Sequence, residues 1–201
     1  MKNASPSFIF LGGHTVMDFL NTVYLQKNST VETLQHNKDI LVWMEEAGIL
    51  THARRNELNR IWIHSPESEA VLRKVHKFRR VCFEVLSCIM AHKPVPKTAT
   101  DEINFILSSG GMVLRLEESP SGFKKQAVYA FQSPEHFVVP LAVSLVDLLE
   151  SGDPSRIKQC ANPRCRLFFY DQGKNKTRRW CSMKTCGNRR KSANVYARKR
   201  A

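Results

Sequence analysis

Cys160-Ala161-Asn162-Pro163-Arg164-Cys165 and Cys181-Ser182-Met183-Lys184-Thr185-Cys186-Gly187-Asn188-Arg189 decide the reading of this 201-residue chain. They are two Cys-(x)4-Cys pairs of equal internal spacing, fifteen residues apart, with a basic run after the second. Tetrahedral Zn²⁺ takes four thiolates at about 2.3 Å, and two short-range pairs folded together by a hairpin-like excursion supply that geometry. Cys160, Cys165, Cys181 and Cys186 are therefore expected to hold one structural Zn²⁺. Asn162-Pro163, Ser182 and Thr185 favour tight turns around it. Leu167-Phe168-Phe169-Tyr170 reads as a strand packed on the site, and Asp171 to Lys176 as its turn. So small a module lacks a core of its own, and metal binding would supply its folding free energy, of order 10–16 kcal/mol in zinc-finger peptides. An iron–sulfur cluster, a pair of redox disulfides and four unrelated thiols are the alternatives; basic turns and the absence of common cluster spacings favour zinc. Cys82 and Cys88, six apart on a predicted helix, read as ordinary buried thiols.

Charge marks the edge of this module. Residues 152 to 201 hold fifteen Lys and Arg against two Asp, which accounts for the whole net charge of +13 and leaves residues 1 to 151 neutral. Four thiolates on one zinc ion remove two charges and leave about +11, ample to attract a polyanion. The composition changes at Gly152-Asp153-Pro154, and two domains are expected, 1–152 and 153–201. Hydrophobic content of 42% is enough for a core. No signal peptide is indicated, and no apolar run approaches the roughly 20 residues that span a bilayer, so a cytoplasmic protein without a membrane partner is expected.

The first 152 residues read as an α-rich α+β body. Phe8 to Leu11 is a small strand or an anchoring extended segment. A helix follows from Thr15 with Val16, Phe19, Leu20 and Val23 on one face, and Asp18 three residues after Thr15 suggests a capping box. A polar loop from Gln26 to Val31 leads to a second helix carrying Ile40, Leu41, Met44 and Ala47, with Gly48 as its C′ residue. Thr51 can cap a third, with Leu58, Ile61 and Trp62 apolar. Ser65-Pro66 opens the longest helix, whose seam is Val71, Val75, Phe78, Cys82, Val85 and Ile89, and Pro94 and Pro96 end it. A short helix is expected over Asp101 to Leu107, then an antiparallel pair of strands over Met112 to Glu117 and Gln126 to Gln132. Phe137 to Leu149, apolar nearly all round, reads as a central buried helix with Pro140 in its first turn.

Cys160-(x)4-Cys165, Arg178-Arg179-Trp180-Cys181-Ser182-Met183 and Cys186-Gly187-Asn188-Arg189 with Lys191 beyond resemble the CGNR zinc finger, named for that last tetrapeptide. The body is similar to the ABATE domain found with it in bacterial proteins grouped as stress-induced transcription regulators: Asp18-Phe19-Leu20-Asn21-Thr22 matches its first-helix motif, and Trp43 to Leu50 the end of its second helix. Gly173 stands where relatives commonly carry serine, and Arg190 where a small residue is usual. The resemblance implies a treble-clef- or ribbon-like finger and a regulator of transcription. Nucleic acid, with duplex DNA first, is the expected partner, and a nucleoid-associated location would follow.

The segment from Asn188 to Arg200 suits a basic helix leaving the metal site. Arg189, Arg190, Lys191, Arg198, Lys199 and Arg200 on it, with Arg178 and Arg179 on the adjoining turn, are the candidate phosphate and base contacts. A solvated basic tail is the plainer reading of the same charges. Phe168, Phe169, Tyr170 and Trp180 could stack on bases, though aromatics beside a zinc site more often form its miniature core. An RNA-binding or ribosome-associated protein and a protein-interaction scaffold are the competing functional classes. His14 and Asp18, four apart on the first helix, and Asn21 are the candidate ligand contacts of a body that senses a small molecule or mediates homodimerisation. No phosphate-cradling glycine loop, nucleophile elbow or second metal motif is present, so no enzymatic activity is expected.

Overall fold

The computed structural model describes residues 7–26, 28–62 and 64–192. Among them the chain forms α1 (Thr15–Leu20), β1 (Val23–Gln26), β2 (Ser29–Glu32), α2 (Asn37–Glu46), α3 (His52–Trp62), α4 (Ser68–Met90), α5 (Lys97–Ser108), β3 (Met112–Ser119), β4 (Gly122–Tyr129), α6 (Val139–Ser151), β5 (Ile157–Gln159) and β6 (Phe168–Tyr170). Among the described residues the strands pair as three antiparallel hairpins, β1 with β2, β3 with β4 and β5 with β6. The molecule is thus α+β, with helices supplying the core and hairpins attached to it. None of the described helices is long and apolar enough to cross a membrane.

The expected seam of α4 is buried from Val71 through Val85, joined by Leu86, and the helix touches α1, α2 and α5. Each such side chain contributes about 1.5–3 kcal/mol when fully buried. Phe19 of α1 lies between Trp43 and Phe78, at ring distances of 5.7 and 6.5 Å. Phe137, in the 3-10 turn before α6, meets Trp62 and Phe131 edge-on at 5.0 and 5.2 Å. Helix α6 buries Val139, Pro140, Leu141, Ala142, Leu145 and Leu148, whereas Leu149 is exposed. Gly48 ends α2 as expected: its N–H reaches Glu45 O at 2.9 Å, and that of Ile49 reaches Met44 O at 2.8 Å, a Schellman closure.

Several sequence expectations are corrected. Helix α1 stops at Leu20, so Val23, expected on its face, instead begins a hairpin whose second strand occupies the segment expected as a loop. Arg79 fixes that hairpin to α4, bonding Thr22 Oγ1 at 2.6 Å and pairing with Glu32 across both guanidinium arms. Thr15 does not cap α1; His14 is the N-cap residue, and Asp18 instead accepts the N–H of Gly12 at 2.7 Å. Ser65 accepts from Glu67 N in a turn that precedes α4, which starts two residues later than expected, at Ser68. Ile61 faces solvent while Leu58 and Trp62 are buried. Helix α5 begins at Lys97, directly after Pro96. Strand β4 begins at Gly122, because Pro120-Ser121 make a two-residue turn and the polar Lys124-Lys125 are strand, not loop.

The last quarter of the described chain is bonded into the body. Ile157 and Phe168 belong to the main core, whereas Leu167, Phe169 and the four cysteines form a second cluster packed by Ile9, Tyr24 and Trp180. Phe8 to Leu11 is extended without strand partners and anchors both clusters: Phe8 packs on the first, Ile9 on the second, and Phe10 stacks on Trp43 at 6.3 Å.

A candidate metal centre and the basic surface around it

Hairpin β5–β6 carries the first cysteine pair in the loop at its closed end. Gln159 pairs with Phe168, and the chain between them turns through Cys160 and Cys165, with Cys160 N donating to Leu167 O at 2.8 Å. Asn162 shapes that knuckle twice, since its carbonyl accepts from Cys165 N at 2.9 Å and its Oδ1 from Arg164 N at 3.1 Å. The second pair flanks the start of a π-helical turn, Met183–Gly187: Cys181 lies just before it and Cys186 on it, and the turn is closed by Gly187 N to Ser182 O at 3.0 Å and continues into helical residues 188–192. A second pair that opens a helix and not another hairpin fits the treble-clef form of the two expected. Gly187 lies under the Met183 side chain, and a Cβ there would stand 2.8 Å from Met183 Sδ and displace it.

The four sulfurs converge within 4.8 Å of one another. Cys165 and Cys181 are 3.4 Å apart, Cys181 and Cys186 3.7 Å. Four sulfurs about 2.3 Å from a tetrahedral zinc ion would be about 3.8 Å apart, so the spacing fits one Zn²⁺ and needs little adjustment. Disulfide bonding is absent from the cluster. Two N–H groups point at sulfur: Asn162 Nδ2 to Cys186 at 3.2 Å, and the backbone of Cys181 to Cys160 at 3.4 Å. Such donors favour thiolate over thiol. Thiols so close cannot all ionise without a cation. The hydrogen bond from Cys181 holds Cys165 down at about 5, that same bond and burial push Cys181 up, and burial raises Cys160. A divalent ion supplies the missing positive charge. Cys160, Cys165, Cys181 and Cys186 thus form a four-thiolate site for one structural zinc.

Two charged residues of the module are fully committed to holding it together. Asp171 is 1% exposed and accepts from Lys158 Nζ at 2.7 Å, Arg178 N at 2.8 Å and Gly173 N at 3.0 Å. Burial opposes its charge, but these donors outweigh burial and hold its carboxyl below the usual range. Arg178 lies over the Phe169 ring at 4.3 Å and donates to Trp180 O at 3.1 Å, to Leu11 O at 2.9 Å and to Cys181 O. Its guanidinium is spent on the fold, which counts against the expected phosphate contact at Arg178. Arg179 is exposed, 5.7 Å from the Trp180 ring. Arg189, Arg190 and Lys191 are exposed on residues 188–192, and Arg164, Arg166 and Lys184, which sequence reading passed over, are exposed beside the cysteines. Their signal was adjacency to the ligands. Arg198, Lys199 and Arg200 lie outside the described residues. The aromatics divide between cores: Phe169 and Trp180 pack on the metal cluster, Phe168 and Tyr170 on the body.

The three body residues expected to share a ligand site diverge. Asn21 is buried and engages the backbone of Phe168 with both amide atoms, Nδ2 to O at 2.9 Å and N to Oδ1 at 2.8 Å. Asp18 turns to Gly12. Burial raises its carboxyl to about 6, despite the N–H groups of Gly12 and Leu11 and the charge of Arg178. Gly12 must be glycine, since a Cβ would fall 2.6 Å from that of Met17. His14 alone borders a groove, of about 530 Å³, lined also by Gln126, Tyr129, Pro140, Ser144 and Asp147. Its Nδ1 is 3.4 Å from Ser144 Oγ, and burial, opposed by Asp147, lowers its proton affinity.

Two family models cover this architecture in order. ABATE, described as “Putative stress-induced transcription regulator”, matches residues 13–152, and the CGNR zinc finger matches residues 156–199. A search of curated proteins gives no match.

Proposed function

We propose that this chain, which belongs to the ABATE family and carries a CGNR zinc finger, is a non-catalytic, cytoplasmic regulator of transcription whose finger binds duplex DNA. The observation that carries the reading is the division of the cations around the metal. Arg156, Lys158 and Arg178 are consumed by internal hydrogen bonds, while Arg164, Arg166, Arg179, Lys184, Arg189, Arg190 and Lys191 are exposed around a rigid, zinc-fixed scaffold on an otherwise neutral body. Cations held in place and left without internal work suit phosphate contacts, with one or two arginines free to pair with guanine edges. The groove at His14 is where the body would take a small molecule, its polar groups being His14, Tyr129, Ser144 and Asp147.

The test is salt-dependent binding of the zinc-loaded chain to a labelled duplex. Arg189→Ala with Arg190→Ala should weaken binding and reduce the slope of log K against log salt by about two, one for each lost phosphate contact. Unchanged affinity and slope would reject the reading. Structured RNA competing better than duplex DNA at fixed salt would replace it with RNA binding.

A further inference from the structure

We propose that two copies of this chain associate through the free edge of β3, forming a four-stranded antiparallel sheet whose twofold axis passes between the Leu116 residues. Among the described residues of the body, the hairpin β3–β4 is where large apolar side chains face solvent in a row. Leu114 is 60% exposed, Leu116 74% and Phe123 69%. Register places all three on one face, because Leu114 is opposite Ala127, Leu116 opposite Lys125, and Glu118 opposite Phe123. The sheet holds only two described strands, so β3 has an outer edge with no described strand beside it. A long, apolar edge of this kind is a template for pairing.

Geometry and charge select the occupant and the register. Ala130 N donates to Gly111 O at 2.8 Å, which makes 111 and 130 a hydrogen-bonded pair and extends the ladder beyond β3. In an antiparallel ladder these pairs alternate, so Val113, Arg115, Glu117 and Ser119 bond toward β4. The N–H and C=O groups of Met112, Leu114, Leu116 and Glu118 then face the outer edge. The twofold axis of an antiparallel pairing on that edge can fall on any residue of β3: at Arg115 or Glu117 it would set like charges against each other, and at Val113 it would pair only residues 112 to 114 of the strand. Centring on Leu116 sets Leu116 against its own copy and places Arg115 of each chain opposite Glu117 of the other, two opposite-charge pairs made by one symmetry axis. Centring on Glu118 would oppose two carboxylates, and centring on Leu114 would set Arg115 against Val113. On the other edge, centring on Lys124 or Lys125 would set like charges against each other, and no register there brings opposite charges together. Self-complementary charge at one register is the property that fits a second copy of this chain.

The experiment is sedimentation velocity on the full, zinc-loaded chain from about 1 to 100 µM, and it involves no nucleic acid, so it stands apart from the DNA reading. The expected result is a concentration-dependent rise from 23.0 kDa toward twice that mass. Leu116→Pro removes an outward N–H and leaves the bonds to β4 intact, so it should give a monomer with unchanged zinc content. Arg115→Glu and Glu117→Arg should each weaken the dimer at least tenfold by opposing like charges twice. Mixing these two variants, or combining them in one chain, should restore it. A wild-type monomer at every concentration would overturn the proposal. So would a dimer indifferent to Leu116→Pro and without rescue by the charge exchange, which would place the contact elsewhere.

Discussion

Asn21, just past the end of α1, acts as a strand for Phe168: its Nδ2 donates to Phe168 O at 2.9 Å and its Oδ1 accepts from Phe168 N at 2.8 Å. The two residues are 147 positions apart, and this pair joins the first helix to the metal-bearing hairpin. Leaving a buried N–H or C=O without a partner costs about 1–3 kcal/mol for each group. Asn21→Ala should therefore lower stability by roughly 2–4 kcal/mol, read by urea denaturation. The amide of Phe168 should exchange with solvent far faster, while those of α4 keep their relative protection. Equal loss of protection everywhere would show that the bond is not a local joint.

Elemental analysis should find one zinc per chain and none in Cys181→Ser. Asn162→Ala separates the ligands from their support. It retains the four thiolates and loses the N–H···S bond to Cys186, so one zinc should remain but a chelator should extract it roughly ten times faster. Extraction at the wild-type rate would remove Asn162 from the metal's supporting shell.

Arg178 and Arg179 are neighbours with opposite fates. Arg178→Ala removes three carbonyl contacts and a ring contact, and should lower the thermal midpoint by several degrees and hasten zinc loss; Arg178→Lys should not restore it, because an ammonium lacks the planar fork. Arg179→Ala should leave the midpoint within about 2 °C, as expected for an exposed side chain. Equal effects in both would show that the guanidinium of Arg178 is not the clasp described here.

Asp18 gives a pH dependence whose sign follows from burial. Its carboxyl rises from 3.8 to about 6 in the fold, so the folded chain takes up the proton more readily than the unfolded one. The resulting stabilisation is complete below about pH 4 and is lost as pH rises through about 6. Asp18→Asn keeps an oxygen for the N–H of Gly12 and cannot ionise. Its stability should stay flatter than wild type across that window, with a difference under about 1 kcal/mol because the group is partly solvated. A wild-type profile that rises over the same interval would reverse the assignment.

The features legible in the sequence were those written in short-range spacing. The cysteine pairs, the α4 seam at steps of three and four, and Gly48 after α2 each depend on residues within a few positions, and each stands where expected. Hairpin β1–β2 was not legible, since Gln26 and Asn28-Ser29-Thr30 are polar and its stability comes from Arg79, nearly fifty residues away. Arg178 shows the same limit inside the finger. In sequence it is one basic residue beside another, and only the folded chain brings Leu11 O and the Phe169 ring to it and leaves Arg179 outside. Asp171 was read as a turn residue because its partners, Lys158 and Arg178, lie on both sides of it at distances that no local pattern marks.

Phe168 and Phe169 are adjacent on β6 and point to opposite sides, so one peptide bond separates the main core from the metal cluster. Withdrawing the ion would loosen β6 and, through it, unseat a ring from among the helices while freeing Asn21 beneath α1. The lifetime of the whole polypeptide in a cell should then follow zinc supply, because a proteolytic system meeting a metal-starved chain would find a destabilised body as well as a frayed tail.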